Sequence, residues 1–155
     1  MFTSFKEFKF FQSFRIPLES KDDVRCLFEY EDEFGKFHSL MDAKLEDVSI
    51  TGFGFITEQK LKVGANIRVG VHYKRLNIDI EGHVVRSFGY NPDADNERMI
   101  YGVELDEEDH PQMKRFIEQY VMGFSPDRAR DCITTMAISE RYKKATEGFE
   151  VFSLM

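Results

Sequence analysis

The sequence predicts a mainly β protein with an α-helical C-terminus: a six-stranded antiparallel β-barrel followed by two helices. Three observations predict it. Short apolar runs separated by turn residues recur at near-regular spacing through the middle of the chain, the clearest of them alternate with period two, and after Leu105 the apolar period lengthens to that of a helix. The 155 residues are enough for one core and too few for two ordinary domains. The expected divisions are an N-terminal arm over residues 1–20, the barrel with its packing helix over 21–123, and a C-terminal helical extension over 124–155.

Val24 to Tyr30 reads as the first strand, closed by the acidic turn Glu31, Asp32, Glu33; Gly35 then permits a reversal into a second strand from Lys36 to about Leu45. Phe53 to Thr57 follows Gly52 as a short third strand, and Lys62-Val63-Gly64 supplies the next turn. Ile67, Val69, Val71 and Tyr73 alternate with Arg68, Gly70 and His72, so the fourth strand buries one face. Leu76, Ile78 and Ile80 repeat the alternation against Asn77, Asp79 and Glu81, and this fifth run continues through Val84 and Val85 to Arg86. A polar loop, Asn91-Pro92-Asp93 with Asp95-Asn96, precedes the last strand of Tyr101, Val103 and Leu105. With 16 phenylalanines and no tryptophan, the barrel interior is expected to be filled by aromatic rings.

Met113, Phe116, Ile117, Tyr120 and Val121 then occupy one helical face, which should pack on the barrel, and Gly123 ends that helix. Ser125 is a good N-cap with Pro126 at the first helical position, and Ala129, Cys132, Ile133, Met136 and Ala137 form a second apolar stripe on a helix reaching about Thr146. Its other side is charged through Arg128, Arg130, Glu140, Arg141, Lys143 and Lys144. Two readings of this helix stand together: a partner-binding or homo-oligomerisation element, or a helix docked on its own domain. In the arm, Phe2, Phe5, Phe8, Phe11 and Phe14 recur every three residues. On an α-helix these rings would sweep about 240° rather than share a face, which favours an arm packed over the barrel against one lying on a membrane.

Composition excludes several functions. A formal net charge of −7 opposes DNA or RNA binding, which needs many cations on phosphates, while leaving room for a small anion at one local cationic site. No apolar stretch is long enough to span a membrane, and Lys6, Glu7 and Lys9 interrupt the N-terminal phenylalanines, so no membrane insertion and a cytoplasmic location are expected. Cys26 and Cys132 sit in apolar contexts and read as small hydrophobes without a disulfide. Catalysis is not expected either. His38, His72, His83 and His110 have no metal-ligand spacing, Ser49 lacks a nucleophile-elbow context, and Gly52-Phe53-Gly54 opens a strand instead of the helix a dinucleotide fingerprint requires.

One segment carries a family resemblance. Asp47-Val48-Ser49-Ile50-Thr51-Gly52 matches D-x-S-x-x-G, the signature of PilZ domains, and Phe53-Gly54-Phe55 resembles the strand that leaves it. Leu61-Lys62-Val63-Gly64, Gly82-His83-Val84-Val85-Arg86 and Tyr101-Gly102-Val103-Glu104-Leu105 resemble that family's next turn, its fifth strand and its closing strand, in order, so the likeness covers about residues 11 to 122. The resemblance implies a non-enzymatic receptor of cyclic di-GMP, a bacterial second messenger, that signals to a protein partner in motility, surface-attachment or envelope control. The family's contacts lie in the signature and in an R-x-x-x-R motif ahead of the first strand. Arginine's planar fork can chelate phosphate or the O6/N7 edge of guanine and stack on the base. Two arginines serve a ligand with two guanines and two phosphates. Asp47 and Ser49, two apart on extended backbone, would point the same way and offer a carboxylate to guanine N–H donors with a hydroxyl beside it; Gly52 would allow a positive φ or close approach of the ligand.

Arg15 matches the second arginine of the motif, but Phe11 stands where the first should be. The implied contacts are therefore Arg15, Asp47, Ser49 and Gly52, with Lys9 as a substitute cation that copies a bidentate fork poorly. The same residues also read as a self-contained turn, Asp47 bonding amides two residues on with Ser49 supporting it and Gly52 serving the bend. The missing arginine sets a second function beside the first: a degenerate PilZ scaffold that binds no nucleotide and acts as a protein-interaction or oligomerisation module.

Overall fold

Alternation of β-branched and polar residues produces the sheet, and the computed structural model describes it over residues 15–90 and 98–134. The strands are β1 (Ile16–Pro17), β2 (Arg25–Glu31), β3 (Phe37–Leu40), β4 (Lys44–Ser49), β5 (Gly52–Thr57), β6 (Asn66–Tyr73), β7 (Leu76–Tyr90) and β8 (Arg98–Leu105). Helix α1 (His110–Met122) follows, then α2 over residues 126–134. All pairings are antiparallel, in the order β1-β4-β5-β8-β7-β6-β2-β3. The expected arm phenylalanines, Lys9, the polar loop 91–97 and the helix beyond residue 134 lie outside the described residues.

This corrects the expectation of a closed six-stranded barrel. Among the described residues there are eight strands, and the pairing does not close between β1 and β3. Two local causes account for the count. The single strand expected over residues 36–45 breaks at 41–43 because the Asp42 carboxylate accepts from Thr57 Oγ1 at 2.8 Å and from the Glu58 amide at 2.6 Å, turning the chain between β3 and β4. β1 is too short to carry a pattern, and Pro17, which has no N–H to donate, suits its position at the sheet edge.

The interior is as aromatic as composition predicts. Phe28, Phe53 and Phe55 are buried and in mutual ring contact, Tyr101 joins them through Phe55, and Ile67, Val69, Val71, Ile78, Ile80, Val84 and Val103 belong to the same core. Helix α1 buries Met113, Phe116, Ile117, Tyr120 and Val121, the face its spacing predicts. Tyr73 on β6, Phe116 and Tyr120 on α1 and Phe124 beyond it form a second ring cluster. Ser125 caps α2 as expected, its hydroxyl accepting the Arg128 amide at 3.1 Å. Ala129 is buried and Cys132 and Ile133 pack on the core, so residues 126–134 dock on their own domain. Both cysteines are free; burial pushes the Cys26 thiol up to about 12 and the Cys132 thiol up to about 11, which leaves them unreactive small hydrophobes.

A polar knot ties the leader to these helices. Asp22, in the 3₁₀ turn Ser20–Asp22 before β2, accepts two bonds from the Arg128 guanidinium at 3.0 and 2.8 Å and one from the Tyr120 hydroxyl at 2.5 Å. The same hydroxyl accepts from Arg128 Nη2 at 2.8 Å and from the Glu19 amide at 3.2 Å, while the guanidinium lies 3.9 Å over the Phe124 ring. The chain ahead of β2 is thereby attached to α1 and α2 by side chains far away in sequence.

Candidate functional site

Two β-bulges decide which way the charged residues face. In β4, Leu45 opposes Phe55 and Asp47 opposes Gly54, so Glu46 is an extra residue. Unbroken alternation from buried Leu45 would turn Asp47 inward; the bulge turns it outward and puts Val48, which is fully buried, inside. In β7, Val84 opposes Val103 and Arg86 opposes Gly102, which makes Val85 the extra residue. Here too the bulge brings outward a residue that shares the parity of a buried neighbour, since Val84 is 1% exposed while Arg86 is exposed.

The result is one row across the outer face of the sheet. Asp47 on β4, Gly54 on β5, Gly102 on β8 and Arg86 on β7 are successive cross-strand partners, so they present to the same side. Arg15, just ahead of β1, reaches this row: its Nη1 donates to Asp47 Oδ1 at 2.7 Å. β1 holds the leader there through the pairs Ile16↔Val48 and Pro17↔Asp47 and through the Leu18 amide on the Glu46 carbonyl at 2.9 Å. The Arg15 and Asp47 side chains are 43% and 34% exposed, so their ion pair contributes little to stability.

The residues singled out from sequence distribute as follows. Arg15 and Asp47 are in contact. Ser49 lies on the same outer face, at the end of β4, and its hydroxyl donates to the Gly52 carbonyl at 3.3 Å across the Ile50-Thr51 turn. Gly52 is not among the positive-φ residues; its role in the structure is close approach, because a Cβ there would lie 2.3 Å from the Val103 carbonyl oxygen of β8. Gly52→Ala is accordingly expected to destabilise the fold by about 2 kcal/mol through overpacking against backbone that cannot yield, measured by urea denaturation. Lys9 lies outside the described residues.

Three residues at this place escaped the sequence reading. Gly54 lies directly beneath the ion pair: a Cβ there would be 2.7 Å from Asp47 Oδ1 and 3.6 Å from Arg15 Nη1. A Cβ at Gly102 would be 2.9 Å from Arg86 Cγ. The available signal was glycine inside a strand pattern, which marks a close approach. Arg86 gave no signal, since its outward direction depends on a bulge.

The fold is an antiparallel β-domain whose outer face gathers cations and a carboxylate over glycines. The family model for the PilZ domain matches residues 12–123, and the chain belongs to this family, whose domains are receptors and adaptors for cyclic di-GMP signalling and not enzymes. The search of curated proteins gives no match. Among solved structures, K. pneumonia MrkH in complex with c-di-GMP is similar at a TM-score of 0.53 and 13% identity, over 70% of this chain and 51% of that one. MrkH in its apo state aligns at 0.52 and 16%, over 81% and 50%. The Bacillus subtilis inhibitor of motility, MotI/DgrA, aligns at 0.44 and 15%, over 70% and 49%. This chain thus spans about half the length of these proteins, and at such identities the likeness to MrkH concerns the fold. No helix among the described residues is long and apolar enough to cross a membrane.

Proposed function

We propose that the chain is a PilZ-type receptor that takes cyclic di-GMP on the outer face of β4, β5 and β8 and passes the bound state to a protein partner. The observation that carries this reading is the contact of Arg15 with Asp47 above Gly54, which joins the leader's arginine to the signature carboxylate. Without ligand, each charge serves as the other's partner. A ligand phosphate offers Arg15 a stronger acceptor, and Asp47, once released, accepts guanine N–H donors. The exchange re-seats the leader, because among the described residues β1 is held on β4 by two residue pairs and the Leu18 amide bond to Glu46. Asp22 carries the movement to Arg128, so α2 is where a partner would read the bound state.

Titration calorimetry of the purified protein with cyclic di-GMP tests this. Arg15→Ala and Asp47→Ala are each expected to weaken binding by about 2 kcal/mol, roughly thirtyfold, the value of a charge-assisted hydrogen bond. Affinity unchanged by both substitutions would refute the site.

A second reading has its own support: the Asp47 carboxylate and the Ser49 hydroxyl already have partners within the chain, Arg15 and the Gly52 carbonyl. In that reading the domain is a nucleotide-free scaffold acting through its C-terminal helix, as an adaptor or a homo-oligomer. A wild-type protein silent in the titration but self-associating in light scattering would select it.

A further inference from the structure

From the cross-strand row we infer that Arg86 supplies the second guanidinium of the nucleotide site, in place of the arginine that Phe11 displaces from the leader motif. The inference rests on the receptor reading above and names a residue that neither the signature nor the leader motif contains.

Register, the glycines and charge all support it. Arg86 opposes Gly102, Gly102 opposes Gly54, and Gly54 opposes Asp47, so Arg86 faces the same side as the Arg15–Asp47 pair. Asp47 and Arg86 stand three strand spacings apart, about 14 Å. The two positions between them have no side chains. That span has the length of a nucleotide rather than of a single ion; Gly54 and Gly102 are buried with the Asp47, Arg15 and Arg86 side chains over them, so a planar base would reach this backbone as those side chains lift.

Both arginines lean over this floor, Arg15 with Nη1 at 3.6 Å from the Cβ position of Gly54 and Arg86 with Cγ at 2.9 Å from that of Gly102. Arg86 makes no ion pair among the described residues, whereas Arg15 is held by Asp47. Among the described residues no carboxylate has to release the Arg86 fork before it chelates phosphate or stacks on guanine. The rows on either side fit the same ligand. Ser49, Gly52, Glu104 and His83 form one, which offers hydrogen-bonding groups; Ile56, Ile100 and Phe88 lie in the other, and Phe88 is 37% exposed beside Arg86. A dianionic, two-base ligand would span from Arg15 to Arg86, one guanidinium to each end.

Calorimetric titration of the full chain with cyclic di-GMP decides the matter. Arg86→Ala is expected to weaken binding about thirtyfold, comparable to Arg15→Ala, and Arg86→Lys to recover only part of the loss because an ammonium is not a fork. Arg75→Ala, which removes the same charge from the exposed β6–β7 turn, should bind as the wild type does. Arg86→Gln, of similar length and also uncharged, should match the alanine variant and guards against a packing defect over Gly102. Wild-type binding left intact in Arg86→Ala overturns this inference while the receptor reading stands; equal losses in Arg75→Ala and Arg86→Ala overturn it by reducing the effect to net charge. A wild type that binds neither cyclic di-GMP nor GMP overturns both.

Discussion

Phe55→Ala is expected to lower the unfolding free energy by about 4 kcal/mol, the usual loss for a fully buried ring that leaves a cavity. Phe55 has no exposed surface and touches three other rings: Phe28 at 5.1 Å between centroids, Tyr101 at 5.5 Å and Phe53 at 6.0 Å. The Phe28 contact matters most. Phe28 is on β2 and Phe55 on β5, which are separated in the sheet by β8, β7 and β6, so their stacking joins the two halves of the interior where pairing among the described residues leaves the sheet open. Removing the ring takes away that junction as well as its own burial. A urea melt should show the midpoint falling at unchanged slope; a loss below about 1 kcal/mol would mean that neighbouring side chains fill the space, contrary to close packing in protein interiors.

Arg128→Ala is expected to have the next largest effect, about 3 kcal/mol, because it strips a largely buried carboxylate of its bidentate partner. The Asp22 and Arg128 side chains are only 14% and 19% exposed, and the Tyr120 hydroxyl loses a donor in the same step. The guanidinium's packing over Phe124 goes with it. An acid melt supplies an independent check. Burial alone would raise the Asp22 carboxyl, but hydrogen bonds from Arg128 and Tyr120 and the charge of Arg128 outweigh it and hold it below its ordinary value. The folded value thus lies beneath the unfolded one of 3.8, so this contribution is complete above that pH and disappears as pH falls through the folded value. Arg128→Ala should flatten the acid limb of the stability profile; a variant with the wild type's acid dependence would show that Asp22 is not held by Arg128. Tyr120 and Arg128 are raised by the same contacts, Tyr120 chiefly by burial and then by Asp22, and Arg128 by its bonds to Asp22 and Tyr120 against the opposing effect of burial.

Much of this architecture is legible in particular residues. Ile67 to Tyr73 alternate in burial as they alternate in polarity, and Met113, Phe116, Ile117, Tyr120 and Val121 bury the face their spacing predicts. Ser125 caps its helix through the hydroxyl that makes serine a cap residue. The break at Met41-Asp42-Ala43 was not legible, because Asp42 ends β3 by bonding to Thr57 and Glu58, which are remote in the chain. Nor was Asp22: an acidic residue in a leader reads as solvated until Tyr120 and Arg128 arrive beside it.

By itself the sequence determined the alternating strands from Ile67 onward, the buried face of α1, what fills the interior, and the family to which the domain belongs, since each follows from side-chain period or from a contiguous signature. The tertiary structure alone decided that Asp47 and Arg86 look out over the same two glycines and that Arg15 reaches them. The physical reason is pairing: an extra residue in β4 and another in β7 reverse the parity of everything after them, and an extra residue is defined only against the neighbouring strand.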